Sequence, residues 1–252
     1  MGNFKPPYGA RLNRDHPLSR GLVMALLMNE GSGNRTYDLT GNGNDGVLTN
    51  GPLWKPGRNG AAISFDGNND YVGCGSGLTL QPSSGITYAV QIRPTVTGQH
   101  GIISSAGNWY ERAYLYLRNQ ENRQIAFGVD DVSCFRTGNI INGRHAYIVG
   151  TYSKSTGAAR LYQDTKIIGS GQWTGPIVTT ADSLIIGYGP GIVAPQRFLG
   201  LISDVRIWNR ALSPDEVQDL YINPYGFIYK PQKYWLMPQG VTIPPHLFRR
   251  VA

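Results

Sequence analysis

Hydrophobic positions along this chain come in short clusters. From residue 22 onward, apolar or alternating runs recur between Gly-, Asn- and Pro-rich turns: LVMALLM, AAISF, ITYAVQI, GIIS, AYLYL, RQIAFGV, HAYIVGTY, ARLYQ, TKIIG, SLIIGY and LISDVRIW. Runs this short, bounded by turn residues, predict strands, and their number predicts an all-β protein built as a two-sheet antiparallel sandwich. In AYLYLRN, Tyr114 and Tyr116 alternate with Leu115 and Leu117. That strand therefore carries one aromatic and one aliphatic face, both expected to be covered.

Only one stretch starts like a helix. In SPDEVQDLY, Ser213 is placed to cap, Pro214 fits the first helical position, and Glu216 completes a capping box. Asn223 and Pro224 end it. Asp215 and Glu216 sit where the positive end of a helix dipole favours acids, so this pair needs no catalytic role. Beyond it, NPYGFIYKPQKYWLMPQGVTIPPHLFRRVA has repeated prolines and six aromatics with no clean period. Such a segment forms no core of its own and is expected to lie along another surface. NGPLWKPGRNG, residues 50–60, is expected to be a loop. The organisation is then an N-terminal arm (1–17), one domain (18–222) and an extended C-terminal arm (223–252).

Charge divides the same way. The net +7 of the 252 residues comes wholly from the ends: +3 in residues 1–20 and +4 in 222–252, with 15 basic and 15 acidic side chains between them. A neutral body with basic ends argues against a nucleic-acid groove and for arms that dock on an acidic protein assembly, with ordinary solubility charge as the plain alternative. Cys74 and Cys134 are too few for a disulfide framework and are expected as buried thiols. The N-terminus lacks the apolar region of a signal peptide, and GLVMALLM is too short for a membrane span.

The densest candidate chemistry is DLTGNGNDG, residues 38–46. GNGNDG matches GxGxxG, but VLTNGPLW follows, with Gly51 and Pro52 where a phosphate-binding helix should continue. An EF-hand fails for want of a Glu at the twelfth loop position. Two readings stay open. Asn and Asp bonding nearby backbone in turns explains the composition without a metal. A calcium site would draw on Asp38, Asn42, Asp66, Asp70 and Asp204, since calcium accepts carboxylate and amide oxygens without strict geometry.

Enzyme signatures are missing: there is no GxSxG, HExxH, P-loop or ExDxxE pattern. His16, His100, His145 and His246 are widely separated, and single structural roles are expected of them. Sugar binding would use aromatic rings and Asn or Asp side chains. That points to Asn68, Asn69 and Asp70 with Trp109 and Tyr110, although an aromatic plug closing the sandwich end is the competing reading for those rings and for Trp173.

Four segments in order resemble the laminin-G-like, concanavalin A-like jelly-roll family: FDGNNDYVGCG (65–75), ITYAVQIRP (86–94), ARLYQDTKIIGSG (159–171) and FLGLISDVRIWNRALSPDEVQDLY (198–221). Upstream, HPLSRGLVMALLMNEGSG followed by DLTGNGNDG looks like the opening of the branch often encoded by bacteriophages and prophages. The resemblance covers about residues 16–221 and implies a concanavalin A-like jelly roll, in a family whose members often carry structural calcium. Two departures stand out: Gln91 replaces the tryptophan common in its strand, and the paired acids before VRI become Ser203 and Asp204. The expectation is a non-enzymatic virion protein, held by its arms to capsid or tail and displaying the sandwich. A lectin-like module for cell-surface polysaccharide is the alternative, a glycan-cleaving enzyme a third. A homo-oligomer is also compatible.

Overall fold

Every apolar run named above forms a strand. The computed structural model describes residues 4–81, 83–95, 100–105, 113–118, 124–129, 134–137, 140–173, 177, 182–189 and 196–229. In chain order the strands are β1 (Arg11–Leu12), β2 (Leu22–Leu26), β3 (Arg35–Thr36), β4 (Gly46–Thr49), β5 (Leu53–Pro56), β6 (Ala61–Asp66) and β7 (Tyr71–Gly73). They continue as β8 (Gly85–Pro94), β9 (His100–Ser105), β10 (Ala113–Arg118), β11 (Gln124–Val129), β12 (Cys134–Thr137), β13 (Ala146–Ser153), β14 (Ala158–Gln163) and β15 (Lys166–Gln172). Last come β16 (Leu184–Ile186), β17 (Tyr188–Gly189), β18 (Gln196–Arg197), β19 (Leu199–Trp208), the helix α1 (Pro214–Ile222) and β20 (Ile228–Tyr229).

Two antiparallel sheets face each other, in the expected jelly-roll sandwich. One runs β12-β11-β10-β9-β16-β7-β4-β3; the other runs β15-β14-β13-β8-β19-β6-β5, with β2 also paired to β19. The two-residue period sorts the side chains. Along β8, Ile86, Tyr88, Val90 and Ile92 enter the core between the sheets, where Ile148, Tyr152, Phe127 and Ile202 meet them. Thr87, Ala89, Gln91 and Arg93 alternate with these and point to the outer face. Leu115 and Leu117 join the same core, while Tyr114 and Tyr116 stack at 5.4 Å on the opposite face, also buried, as the AYLYL alternation requires.

The segment expected to be a loop, residues 50–60, contains β5. Leu53–Pro56 pairs with β6 at the sheet edge, where Pro56 is tolerated because no neighbour needs its missing N–H. The Trp54 indole holds this edge by donating to the Gly33 carbonyl at 2.8 Å. A strand, not a helix, follows Gly46. Helix α1 carries the predicted capping box: the Glu216 N–H donates to Ser213 Oγ at 3.2 Å and the Ser213 N–H to Glu216 Oε2 at 2.9 Å. Arg210 grips the same carboxylate with both terminal nitrogens. Among the described residues no helix is long and apolar enough to cross a membrane.

The described parts of the terminal segments pack on the domain itself. Residues 4–17 and 223–229 lie on the outer face of the second sheet, and β1 pairs with β20 through Arg11↔Tyr229 and Leu12↔Ile228. Ala10, Leu18, Leu22, Tyr147, Trp208, Leu220 and Phe227 form a second apolar cluster there. The Trp208 indole N–H reaches across it to the Leu18 carbonyl at 2.7 Å. An outward face carrying Ala89, Val149 and Trp208 has to be covered, and the chain's own ends and α1 do it. The C-terminal segment from 230 on lies outside the described residues.

Candidate binding cleft

The outer face of the second sheet is not uniformly apolar. On β19 the register against β8 slips between Ser203 and Arg206, which oppose Gln91 and Ala89 respectively. This bulge falls where the other edge of β19 changes partner from β6 to β2. Asp204 takes a left-handed backbone there, with φ 55°, and both it and Arg206 are buried.

Arg206 and Asp204 form an ion pair at 2.7 Å with no solvent contact for the guanidinium. The Arg206 Nη1 donates to the Pro224 carbonyl at 2.6 Å, and the rings of Tyr225 and Phe227 lie 5.3 and 5.2 Å away. Burial works against the guanidinium charge, but Asp204, Tyr147 and Tyr225 outweigh it and raise its pKa. The pair thus fastens the 224–227 segment over the sheet.

Beside this pair opens a cleft of about 410 Å³. Gln91 of β8 and Tyr147 beside it on β13 form its floor. Arg58 and Asn59 from the β5–β6 turn form one wall; Phe4 from the N-terminal segment and Leu220, Tyr221, Ile222 and Pro224 from the end of α1 form the others. Two floor groups are polar and nearly inaccessible, Gln91 at 6% and Tyr147 at 5% exposure. The Tyr147 hydroxyl has no hydrogen-bond partner, and burial pushes its pKa far up, keeping it a neutral donor. The hydroxyl oxygen itself has almost no accessible surface, so it is through other atoms that Tyr147 lines the cleft.

Lys5 ties the N-terminal segment to the domain. Its Nζ donates to the carbonyls of Met28 at 3.2 Å and Ala61 at 2.5 Å. Enclosure of the ammonium lowers its pKa to about 8, against the opposing pull of Asp204 and Glu30. A smaller hollow of about 270 Å³ lies under the N-terminal segment, between the exposed rings of Tyr8 and Tyr37 and the Glu30 carboxylate.

The sequence-predicted site residues fall in separate places. The Asp38 carboxylate accepts four hydrogen bonds, from the Ala25, Thr40 and Asn44 N–H groups and the Thr40 hydroxyl. The Asn42 side chain donates to the Val23 carbonyl. With every lone-pair direction of Asp38 taken by a donor, DLTGNGNDG is a set of turns tied to β2, and Asp38 does not fit a cation. Asp70 is turned inward, accepting the Asp66 N–H at 3.0 Å, while Asp66 accepts the Asn68 N–H at 2.8 Å. Asp204 belongs to Arg206. No three of Asp38, Asp66, Asp70 and Asp204 meet, and among the described residues no group of three or more His, Cys, Asp or Glu could hold a metal ion. The members of the pooled calcium set serve turns and an ion pair.

For the predicted sugar site, Asn68 and Asn69 are exposed on the β6–β7 turn, and Asp70 is spent holding that turn. Trp109 and Tyr110 lie outside the described residues. Cys74 is a free, buried thiol whose pKa burial raises further; the Cys134 side chain lies outside the described set. The cleft residues Tyr147, Arg58 and Asn59 were not foreseen. The available signal was Gln91, a polar residue on a strand whose other outward positions suit a covered face.

Comparison with known proteins agrees with this architecture. A stretch of the C-reactive protein of Rattus norvegicus is 33% identical over 91 residues, 34% of this chain, and the chain covers 38% of that protein's length. Domain 4 of AbnA, a GH43 extracellular arabinanase from Geobacillus stearothermophilus solved with arabinotriose, superposes with a TM-score of 0.64 at 18% identity, covering 79% of this chain and 98% of that one. The binding domain of Paraclostridial Mosquitocidal Protein 1 gives 0.67 at 16% identity, covering 82% and 53%. Residues 66–218 match the model of the Laminin_G_3 family, described as the concanavalin A-like lectin/glucanases superfamily, and the chain belongs to that family.

Proposed function

We propose that this chain is a non-enzymatic, lectin-like module that holds a glycan in the cleft beneath α1. The observation that carries this is the cleft itself, a hollow of about 410 Å³ lined by the polar Gln91 and Asn59 beside the aromatic Tyr147, Tyr221 and Phe4. That volume is in the range of small-ligand pockets, and its makeup of neutral donors and acceptors beside Tyr221 and Phe4 suits a molecule with many hydroxyls and apolar ring faces. The complex of the arabinanase domain with arabinotriose supports the reading by analogy of fold.

Hydrolysis of a glycosidic bond needs two carboxyl groups facing across the scissile bond. Asp204 is the single carboxylate lining the cleft among the described residues, and Arg206 neutralises it. Binding without cleavage follows from that arrangement. The reading uses no calcium: among the described residues no group of three or more His, Cys, Asp or Glu gathers to hold an ion.

The wider setting we propose is a phage virion, with residues 230–252 as the attachment to capsid or tail. What supports it is charge: Lys230, Lys233, Arg249 and Arg250 stand there with no acid. Truncation after Tyr229 is expected to leave a folded domain that no longer joins its assembly; truncated protein that still assembles sinks this part.

The test of the cleft is Gln91→Trp, which places an indole on its floor. Glycan binding should be lost while the melting temperature holds within a few degrees. Binding that survives the substitution puts the ligand elsewhere.

A further inference from the structure

The mouth of the cleft carries uncompensated positive charge. Arg58 is exposed at the tip of the β5–β6 turn and lines the cleft. Arg93 lies two residues along β8 from Gln91, on the same outward face and about 7 Å further on. It is exposed, and its Nε donates to the Gly143 carbonyl at 2.9 Å. His145 comes one residue beyond the Ala146↔Ile92 pair, opposite Arg93. Its pKa is lowered by burial first, then by the positive charges of Arg93 and Arg58.

No acid answers them among the described residues. The ion pairs there are Arg206–Asp204 and Arg210–Glu216. Asp204, the acid closest to the cleft floor, is held by Arg206. Asp164, at the same end of β13, accepts the Tyr147 N–H at 3.1 Å. Glu30 accepts from the Thr36 hydroxyl and the Tyr37 N–H. Guanidinium groups without a paired acid favour an anionic partner, which accepts their hydrogen bonds in pairs.

Resting on the glycan reading above, we infer that the cleft selects an acidic saccharide: its ring hydroxyls meet Gln91 and Asn59, and its anionic substituent meets Arg58 and Arg93. Floor and mouth then divide the work. The floor recognises a sugar through neutral hydrogen bonds, and the mouth decides its charge. Carboxylate and sulfate substituents share the chemistry the mouth reads.

The experiment uses the full chain on an array of uronate-bearing, sialylated, sulfated and neutral oligosaccharides, at low salt and again at about 0.5 M salt, where exposed charge contacts are screened. The best acidic ligand is then titrated calorimetrically beside its neutral methyl-ester or desulfated form. Acidic members should bind, with the neutral analogue at least tenfold weaker. Arg58→Gln and Arg93→Gln should each weaken acidic binding about tenfold and flatten its salt dependence. The uronate and sulfated arms tell the two anionic groups apart. Binding confined to neutral glycans, or acidic binding untouched by both substitutions, overturns the inference and leaves the glycan reading standing. No glycan bound under any condition overturns both.

Discussion

The two faces of the second sheet are built from the same strands and differ in every other respect. Toward the first sheet, β8, β13 and β19 present Val90, Ile92, Ile148, Ile202 and Ile207 to an interior whose members are almost all aliphatic or aromatic. Away from it they present Gln91, Ser203, Asp204 and Arg206 among Ala89, Val149 and Trp208. The inner face is closed by a whole sheet of matching period. The outer face is closed by short pieces: a nine-residue helix, the start of the chain and a two-strand ribbon. Pieces that do not share the sheet's period leave gaps, and polar groups survive where a gap lets them find a partner. A face covered piecemeal is thus where a binding site can form without opening the core.

The sharpest way to break this contrast is Arg206→Leu. It leaves Asp204 buried without its partner and releases the Pro224 carbonyl, so it should cost about 3–5 kcal/mol in urea unfolding, whereas Asp204→Leu combined with Arg206→Met should recover much of that loss. A double variant no better than the single one would mean that the ion pair holds more than the 224–227 segment.

Next in size is Asp38→Ala, which strips an acceptor from four donors and is expected to cost about 2–3 kcal/mol. If DLTGNGNDG is turns alone, millimolar-range calcium or chelator shifts the wild-type melting temperature by less than about 1 °C, because a bound ion would stabilise the folded state by mass action. A clear rise with calcium would restore a metal to this loop.

On the inner face, Ile148→Val should cost about 1 kcal/mol and leave glycan binding unchanged, since it shortens a core side chain remote from the cleft. Loss of binding there would show the two faces to be coupled.

The smallest expected effect is a pH slope. Lys5 has its folded-state pKa lowered from 10.5 to about 8, so between those values the unfolded chain holds the proton more often. Stability therefore rises as pH increases from about 8 toward 9.5. The raised pKa values of Tyr147 and Tyr225 reverse the slope near pH 10 and above, where the unfolded phenols ionise first. Melting curves across that range should show the rise in wild type and lose it in Lys5→Met. A slope unchanged by the substitution would assign it to another group.

Legibility followed the range of the interaction responsible. Ser213 and Glu216 announced α1 because a capping box spans four residues, and both of its bonds formed. The Asx-rich turns were legible for the same reason. β5 was missed because Pro52, Pro56 and Gly57 read as loop, and an edge strand tolerates proline that a central strand would not. The arms were set apart on charge and proline content, signals blind to Ala10, Leu18 and Phe227, whose burial depends on the sheet beneath them. Asp204 was noticed for its charge, but its partner, two residues on, was passed over as part of a strand.

By itself, then, the sequence determined the strands, the capped helix, the turns and the sandwich, because each rests on periods and caps that close within a few residues. Only the tertiary structure decided the cleft. Phe4, Arg58, Gln91, Tyr147, Asp204 and Tyr221 come from six distant places in the chain, and what joins them is the register of three strands, one bulge and the way the two termini cover a face the helix leaves incomplete.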